Sequence, residues 1–238
     1  MKLRSAWLLT IATIASFPCN AQNINTIGIF PTIDHSGQLS TRWSYYAYLF
    51  SAINLNSQEN RINEMYSSRV LYAYLETGIT YKMNKQVYLT ASYVHEQQNL
   101  LPNTRQENRL FQQITWKLPV NKFELKQRLR FDERFIQDPV TKEVPFTNRL
   151  RYLVGLSSSL SDRWYWFGYS EFFFNTSKNA NFKFSENWSA LQLGYKLNTI
   201  HSLEFGLLYI GWIYNGDNNW FNQYYLQTTW VSKLDFRK

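Results

Sequence analysis

From Thr41 onward the chain is a succession of short runs in which apolar and polar positions alternate. Residues 123–135, FELKQRLRFDERF, are the plainest case. Phe123, Leu125, Gln127, Leu129 and Phe131 alternate with Glu124, Lys126, Arg128, Arg130, Asp132 and then Arg134. A period of two places the neutral residues on one face of a strand and six charges on the other. Ten runs are predicted as strands: 41–52, 69–82, 87–97, 106–118, 123–135, 148–160, 164–175, 187–197, 203–213 and 222–234. Each alternates in this way or is rich in aromatic and β-branched residues.

The connections carry the topology. Residues 84–86, 119–122, 161–163 and 198–201 read as tight turns, whereas 53–68, 99–105, 136–147, 176–186 and 214–220 are longer and polar. Short and long connections alternate, as in an up-and-down barrel with short periplasmic turns, long external loops and an even strand count. The expected fold is all-β: a ten-stranded antiparallel up-and-down transmembrane β-barrel over residues 41–238. Ten strands put both ends of the set at the short-turn side. A soluble lipocalin-like barrel, with its greasy faces inward, is the alternative.

Aliphatic stripes such as Leu71, Ala73, Leu75 and Ile79 are expected to face lipid. Tyr81, Trp116, Trp164, Trp166, Tyr195 and Trp230 fall near the short-turn end and Trp212 toward the long-loop end, and together they form an expected aromatic girdle. Parity turns Arg109, Arg128, Arg130, Arg149, Arg151, Glu76, Glu96, Glu107, Asp132 and Glu171 into the lumen. Two readings stand. The charges form a plug of satisfied ion pairs, or they line a narrow constriction for ions or small solutes, with the basic excess favouring anions. Glu133 breaks the pattern and falls on the lipid face.

The first residues, MKLRSAWLLTIATIASFPCNAQ, read as a secretory leader: Lys2 and Arg4 precede an apolar run at 6–17, and cleavage is expected after Ala21. Lipidation of Cys19 is the rival reading, disfavoured by Pro18 beside it. Cys19 is the single cysteine, so cleavage leaves a chain without disulfides or thiol chemistry. Losing Lys2 and Arg4 leaves 23 of the 25 basic residues against 17 acidic ones. Basic and acidic residues share the same strands, which argues against nucleic acid as a partner. No other segment is apolar for long enough to make a spanning helix. Residues 22–40 stand apart from the ten strands as a periplasmic segment, a plug crossing the lumen or an extra strand.

Four segments resemble, in order, a known family. They are ENRLFQQ (107–113), QRLRFDERF (127–135), NRLRYLVGL (148–156) and SEFFFN (170–175). Over roughly residues 43–236 the chain resembles the domain of unknown function 2490, found in Bacteroidetes. The resemblance implies an outer-membrane β-barrel and no particular activity.

Candidate chemistry is sparse. His35, His95 and His201 lack metal-site spacing, and no cofactor is expected. His95 with Ser92 and Glu96 is the best candidate for a lipid- or peptide-directed hydrolase, but parity separates His95 from the other two. The expected function is a narrow porin-like channel of the outer membrane. The alternatives are a closed structural or surface-interaction barrel and a hydrolase. Expected partners are outer-membrane lipid and lipopolysaccharide, and a small solute.

Overall fold

The computed structural model describes residues 24–57, 70–98, 105–176, 182–214 and 219–237. The expected leader lies outside them. Eleven strands form: β1 Ile24–Gln38, β2 Trp43–Ser57, β3 Val70–Lys82, β4 Val87–Gln98, β5 Arg105–Val120, β6 Phe123–Ile136, β7 Phe146–Ser159, β8 Trp164–Asn175, β9 Lys183–Lys196, β10 His201–Tyr214 and β11 Asn219–Asp235. They close into one barrel in which each strand pairs with its sequence neighbours and β1 also pairs with β11.

The strand count corrects the expected ten. The additional strand is β1, drawn from residues expected to lie outside the set of ten. Its alternation of Ile27, Ile29 and Ile33 with Thr26, Thr32 and Asp34 is interrupted by Gly28, Pro31 and Gly37, residues that ordinarily argue against a strand. Pairing with β2 lapses at Phe30 and Pro31, where proline has no N–H to give. A bulge lies at Ile27/Gly28. There the backbone of β2 comes so close that a Cβ on residue 28 would sit 2.2 Å from the Ile53 carbonyl oxygen, which leaves glycine as the residue that fits.

An odd number of strands forces one parallel pair. A short turn joins β1 to β2, so those two run antiparallel, and β1 therefore runs parallel to β11, from Ile24 beside Phe221 to Gln38 beside Asp235. The start of β1 thus lies at the long-loop end and the end of β11 at the short-turn end. This corrects the expectation that both ends share the short-turn side. The five short turns, 39–42, 83–86, 121–122, 160–163 and 197–200, all lie at one end. Asn121 takes a left-handed φ of 55° in the tightest of them, a conformation asparagine tolerates better than most residues. In the 137–145 loop at the other end, Asp138 accepts the N–H groups of Thr141 and Val140, both at 2.8 Å. These bonds hold its carboxyl below the ordinary carboxylate range.

The barrel carries its charges inside and an apolar outer face. On β6, Leu129, Phe131 and Phe135 are 39, 37 and 37% exposed, whereas the intervening Arg130 and Asp132 are 2 and 0% exposed. On β10 and β11, Phe205, Leu207 and Leu226 face outward. Leu71 departs from its expected outward stripe. A bulge between Ala52 and Ile53 shifts the register of β2 against β3, and Leu71 is fully buried in the interior cluster.

The seam between β1 and β11 has a direct test. Ile29→Cys paired with Leu226→Cys, directly opposed across the seam, is expected to cross-link on oxidation in a Cys19→Ser background. A mobility shift on denaturing gels reads the bond. A ten-stranded barrel with β1 elsewhere gives no cross-link.

Candidate functional site: a charged layer across the lumen

At one level of the barrel, strands β3 to β9 bring together six arginines and six carboxylates, and each makes at least one ion pair with another member of the set. Glu107 is gripped twice. Arg109 reaches it with Nε at 2.8 Å and Nη2 at 2.6 Å. Arg134 makes a fork of two 2.7 Å bonds to the same carboxylate. Arg109 also reaches Glu96 at 3.2 Å. Asp132 is shared: Arg130 binds one oxygen at 2.8 Å and Arg149 the other at 3.1 Å. Glu171 takes a two-pronged bond from Arg151, at 2.8 and 2.9 Å, and a third contact from Arg128 at 2.7 Å. Arg149 extends to Glu186 at 3.3 Å. The planar guanidinium presents several donors in a fixed fork, which suits this dense mutual satisfaction.

The layer crosses the barrel. Arg130 on β6 meets Glu76 on β3 at 3.1 Å, over the two intervening strands. Glu76 also accepts the hydroxyls of Tyr46 at 2.7 Å and Tyr74 at 2.5 Å. Tyr74 stacks on Phe50 with ring centroids 4.2 Å apart. Phe50 and Phe30 both pack in a T-shape with Trp188, from β9, with ring centroids 6.1 Å apart. The Trp188 indole N–H donates to Glu186 at 2.6 Å, which returns the chain of contacts to the ion pairs. Aromatic faces also carry the cations: Arg130 lies 3.3 Å above the Phe111 ring, and Arg151 lies 4.3 Å above Phe173. Side chains therefore meet from wall to wall at this level.

All ten residues expected in the lumen point inward. Eight line its open space, and Glu107 and Asp132 lie fully buried behind it. The structure adds Arg134 and Glu186 to the layer. Arg134 was legible as a charge on the inward face of β6. Glu186 was hidden because it fell in an expected loop and because β9 is bulged opposite Phe173/Phe174. The open space amounts to about 860 Å³.

The family described as protein of unknown function (DUF2490) matches residues 28–222. The chain belongs to this family. No curated protein matches it. In this DUF2490 chain, the four segments that carried the resemblance lie on the consecutive strands β5, β6, β7 and β8. They supply Glu107, Arg109, Arg128, Arg130, Asp132, Arg134, Arg149, Arg151 and Glu171, most of the charged layer.

Below the layer, toward the short turns, the lumen changes character. Asp34, Lys126 and Glu204 line it with no ion pair among the described residues. Glu204 accepts the Tyr165 hydroxyl at 2.7 Å. Asp34 was missed because β1 was not counted among the barrel strands.

The aromatic residues divide. Tyr81, Trp164, Trp166, Tyr195 and Trp230 face outward near the short turns, and Trp116 lies on the outer face of β5. Trp212 does not join this girdle. It packs against the interior cluster, with its ring 5.1 Å from Phe221. Parity on β10 places it on the same side as the buried Leu208 and Ile210. Glu133 faces outward, opposite Asn148 on β7.

The hydrolase candidates are not brought together. Ser92 bonds Tyr46 inside the barrel and Glu96 pairs with Arg109. His95 is outside, where its Nδ1 meets Asn108 Oδ1 at 2.9 Å. The same oxygen accepts the Tyr93 hydroxyl at 2.6 Å. Among the described residues no group of three or more His, Cys, Asp or Glu is placed to hold a metal.

The layer predicts unequal costs for two acidic substitutions. Asp132→Asn leaves the Arg130 and Arg149 guanidiniums under-compensated in a buried site and is expected to cost ~3–5 kcal/mol. Glu124→Gln removes a half-exposed pair with Lys117 at 3.9 Å and is expected to cost less than ~1 kcal/mol. Urea unfolding of the refolded protein in micelles, followed by tryptophan fluorescence, compares them. Equal losses contradict the layer.

Proposed function

We propose that this chain spans a Gram-negative outer membrane as a barrel that is closed at rest by the charged layer. The observation that carries the reading is the inverted polarity. Paired arginines and carboxylates are buried in the interior beside an aromatic and aliphatic cluster, while leucine, isoleucine and phenylalanine cover the outside. A soluble barrel would do the opposite, since charged groups are cheap to hydrate and costly to bury. Lipid offers the backbone no hydrogen-bond partners, so a spanning sheet has to close, as this one does through β1. Outward Trp and Tyr near the short turns fit the headgroup level.

Closure at rest follows from the contacts across the lumen and from the charge balance. Six cations against six anions leave the layer without the basic excess that would attract anions. A narrow conducting path is the second reading. It is favoured by open space whose lining runs from Arg105 and Trp212 near the long loops to Lys117 and Glu124 near the short turns.

Single-channel recording in a planar bilayer separates the two readings. Inserted wild-type protein is expected to be silent. Arg130→Ser, which removes the group bridging β6 to β3, is expected to show discrete current steps. Frequent steps from the wild type would make the barrel an open pore.

Orientation has its own test. In the spanning reading, an epitope placed immediately before Ile24 is expected to be reached by antibody on intact cells, like one in the 137–145 loop. An epitope after Arg237 is expected to stay hidden until the cells are opened. Release of the protein by carbonate extraction would remove the spanning reading altogether.

A further inference from the structure

Two corners of the short-turn end are built alike. Residues 39–43 read LSTRW and residues 160–164 read LSDRW. In each turn the serine hydroxyl accepts the backbone N–H of the tryptophan, at 3.0 Å from Ser40 and 3.1 Å from Ser161. The leucine and serine N–H groups both donate to the tryptophan carbonyl. The neighbouring strands end alike too, in Tyr81-Lys82 and Tyr195-Lys196, and each lysine N–H donates to the carbonyl of the turn arginine. Arg42 Nη1 donates to the Tyr81 hydroxyl at 3.0 Å, and Arg163 Nη1 to the Tyr195 hydroxyl at 3.1 Å. Trp43 packs on Tyr81 with centroids 4.9 Å apart, and Trp164 on Tyr195 at 4.7 Å. The corners sit on β2/β3 and β8/β9, with four strands between them one way round and three the other, so they lie on nearly opposite sides of the barrel.

Each corner is chemically incomplete. Neither arginine has a carboxylate at ion-pair distance among the described residues. One donor of each guanidinium holds the tyrosine, and the rest of the fork is open. The tryptophans are 45 and 41% exposed, well beyond what a side chain of that size ordinarily leaves uncovered in water. The surrounding rim is basic. Across residues 39–43, 82–86, 117–124, 160–163, 196–201 and 233–237 there are nine lysines and arginines against three acids, Glu124, Asp162 and Asp235.

From this we infer that the two corners are specific sites for the phosphate of a glycerophospholipid, one on each side of the barrel. The inference rests on the spanning reading. The guanidinium fork matches the paired oxygens of a phosphodiester, and the adjoining lysine adds charge. The Trp–Tyr pair offers the headgroup boundary a flat amphipathic surface. Leu193 and Ile79, exposed on the same strands, continue it as an apolar wall along which the acyl chains lie. The lipid is therefore an anionic one of the short-turn-side leaflet.

The test uses full-length protein refolded into phosphatidylcholine vesicles with or without phosphatidylglycerol. Retained lipid is counted by native mass spectrometry after detergent extraction. Wild-type protein is expected to keep two phosphatidylglycerol molecules. Arg42→Gln with Arg163→Gln is expected to lose both, with retention weakened about tenfold per site, as for one charge-assisted bidentate contact. Lys85→Gln with Lys122→Gln removes the same net charge from the same rim and is expected to keep both. Equal loss in the two double variants would reduce the effect to general attraction and overturn the inference. Displacement of the lipid by inorganic phosphate alone would overturn it as well, since the sites would then be for a free anion. Failure to insert into either vesicle, with release by carbonate, would instead remove the spanning reading beneath it.

Discussion

Asp132 and the three arginines around it govern the interior. A carboxylate with no exposed surface survives as an anion only if cations and donors replace its lost water. Arg130 and Arg149 supply that replacement directly, and Arg151 stands at 3.7 Å. The arginines in turn are spoken for by Glu76, Glu186 and Glu171. No member can be removed without exposing another, so the layer behaves as one unit. Its net contribution to stability is small, because desolvation offsets most of the attraction. What it provides is register: β3, β6, β7, β8 and β9 have to be aligned for the forks to meet.

At the level of the charged layer, the other half of the interior solves the same space-filling problem without charge. β1, β2, β10 and β11 contribute Phe30, Phe50, Leu208, Ile210 and Tyr225, all buried. Trp188 and Tyr74 belong to both halves, stacking on the aromatic side while bonding Glu186 and Glu76 on the other. The two halves are thereby locked together across the lumen. A barrel of this girth could otherwise hold water throughout.

Closure depends on β1. With β2 to β11 alone, the first and last strands would each present an open edge, which invites association with other chains in water and has no hydrogen-bond partners in lipid. β1 fills the gap along fifteen paired positions with β11. Its composition is poor for a strand, and a parallel partner pairs slightly less strongly. The seam holds because β2 flanks it on the other side and because Phe30 anchors the strand in the interior.

Much of this was written in the local sequence. Strand period, turn length and inward parity are local properties. The ten strands, the alternation of turn lengths and the inward set from Glu76 to Glu171 could therefore be read from residues two apart. The leucine-serine-x-arginine-tryptophan repeat was equally visible, but its meaning needed Tyr81 and Tyr195, which reach those turns from other strands. Tertiary structure alone decided the rest. β1 became a strand because two edges needed a partner, which no window of its own residues can express. Leu71 turned inward because a bulge reset local parity, Trp212 kept the parity of β10 and joined the interior cluster, and Glu186 joined the ion pairs across a bulge. The sequence determined which charges face the lumen. Only the closed sheet determined which charge meets which, because Arg130 and Glu76 are 54 residues apart and the curvature of the whole barrel sets the distance between them.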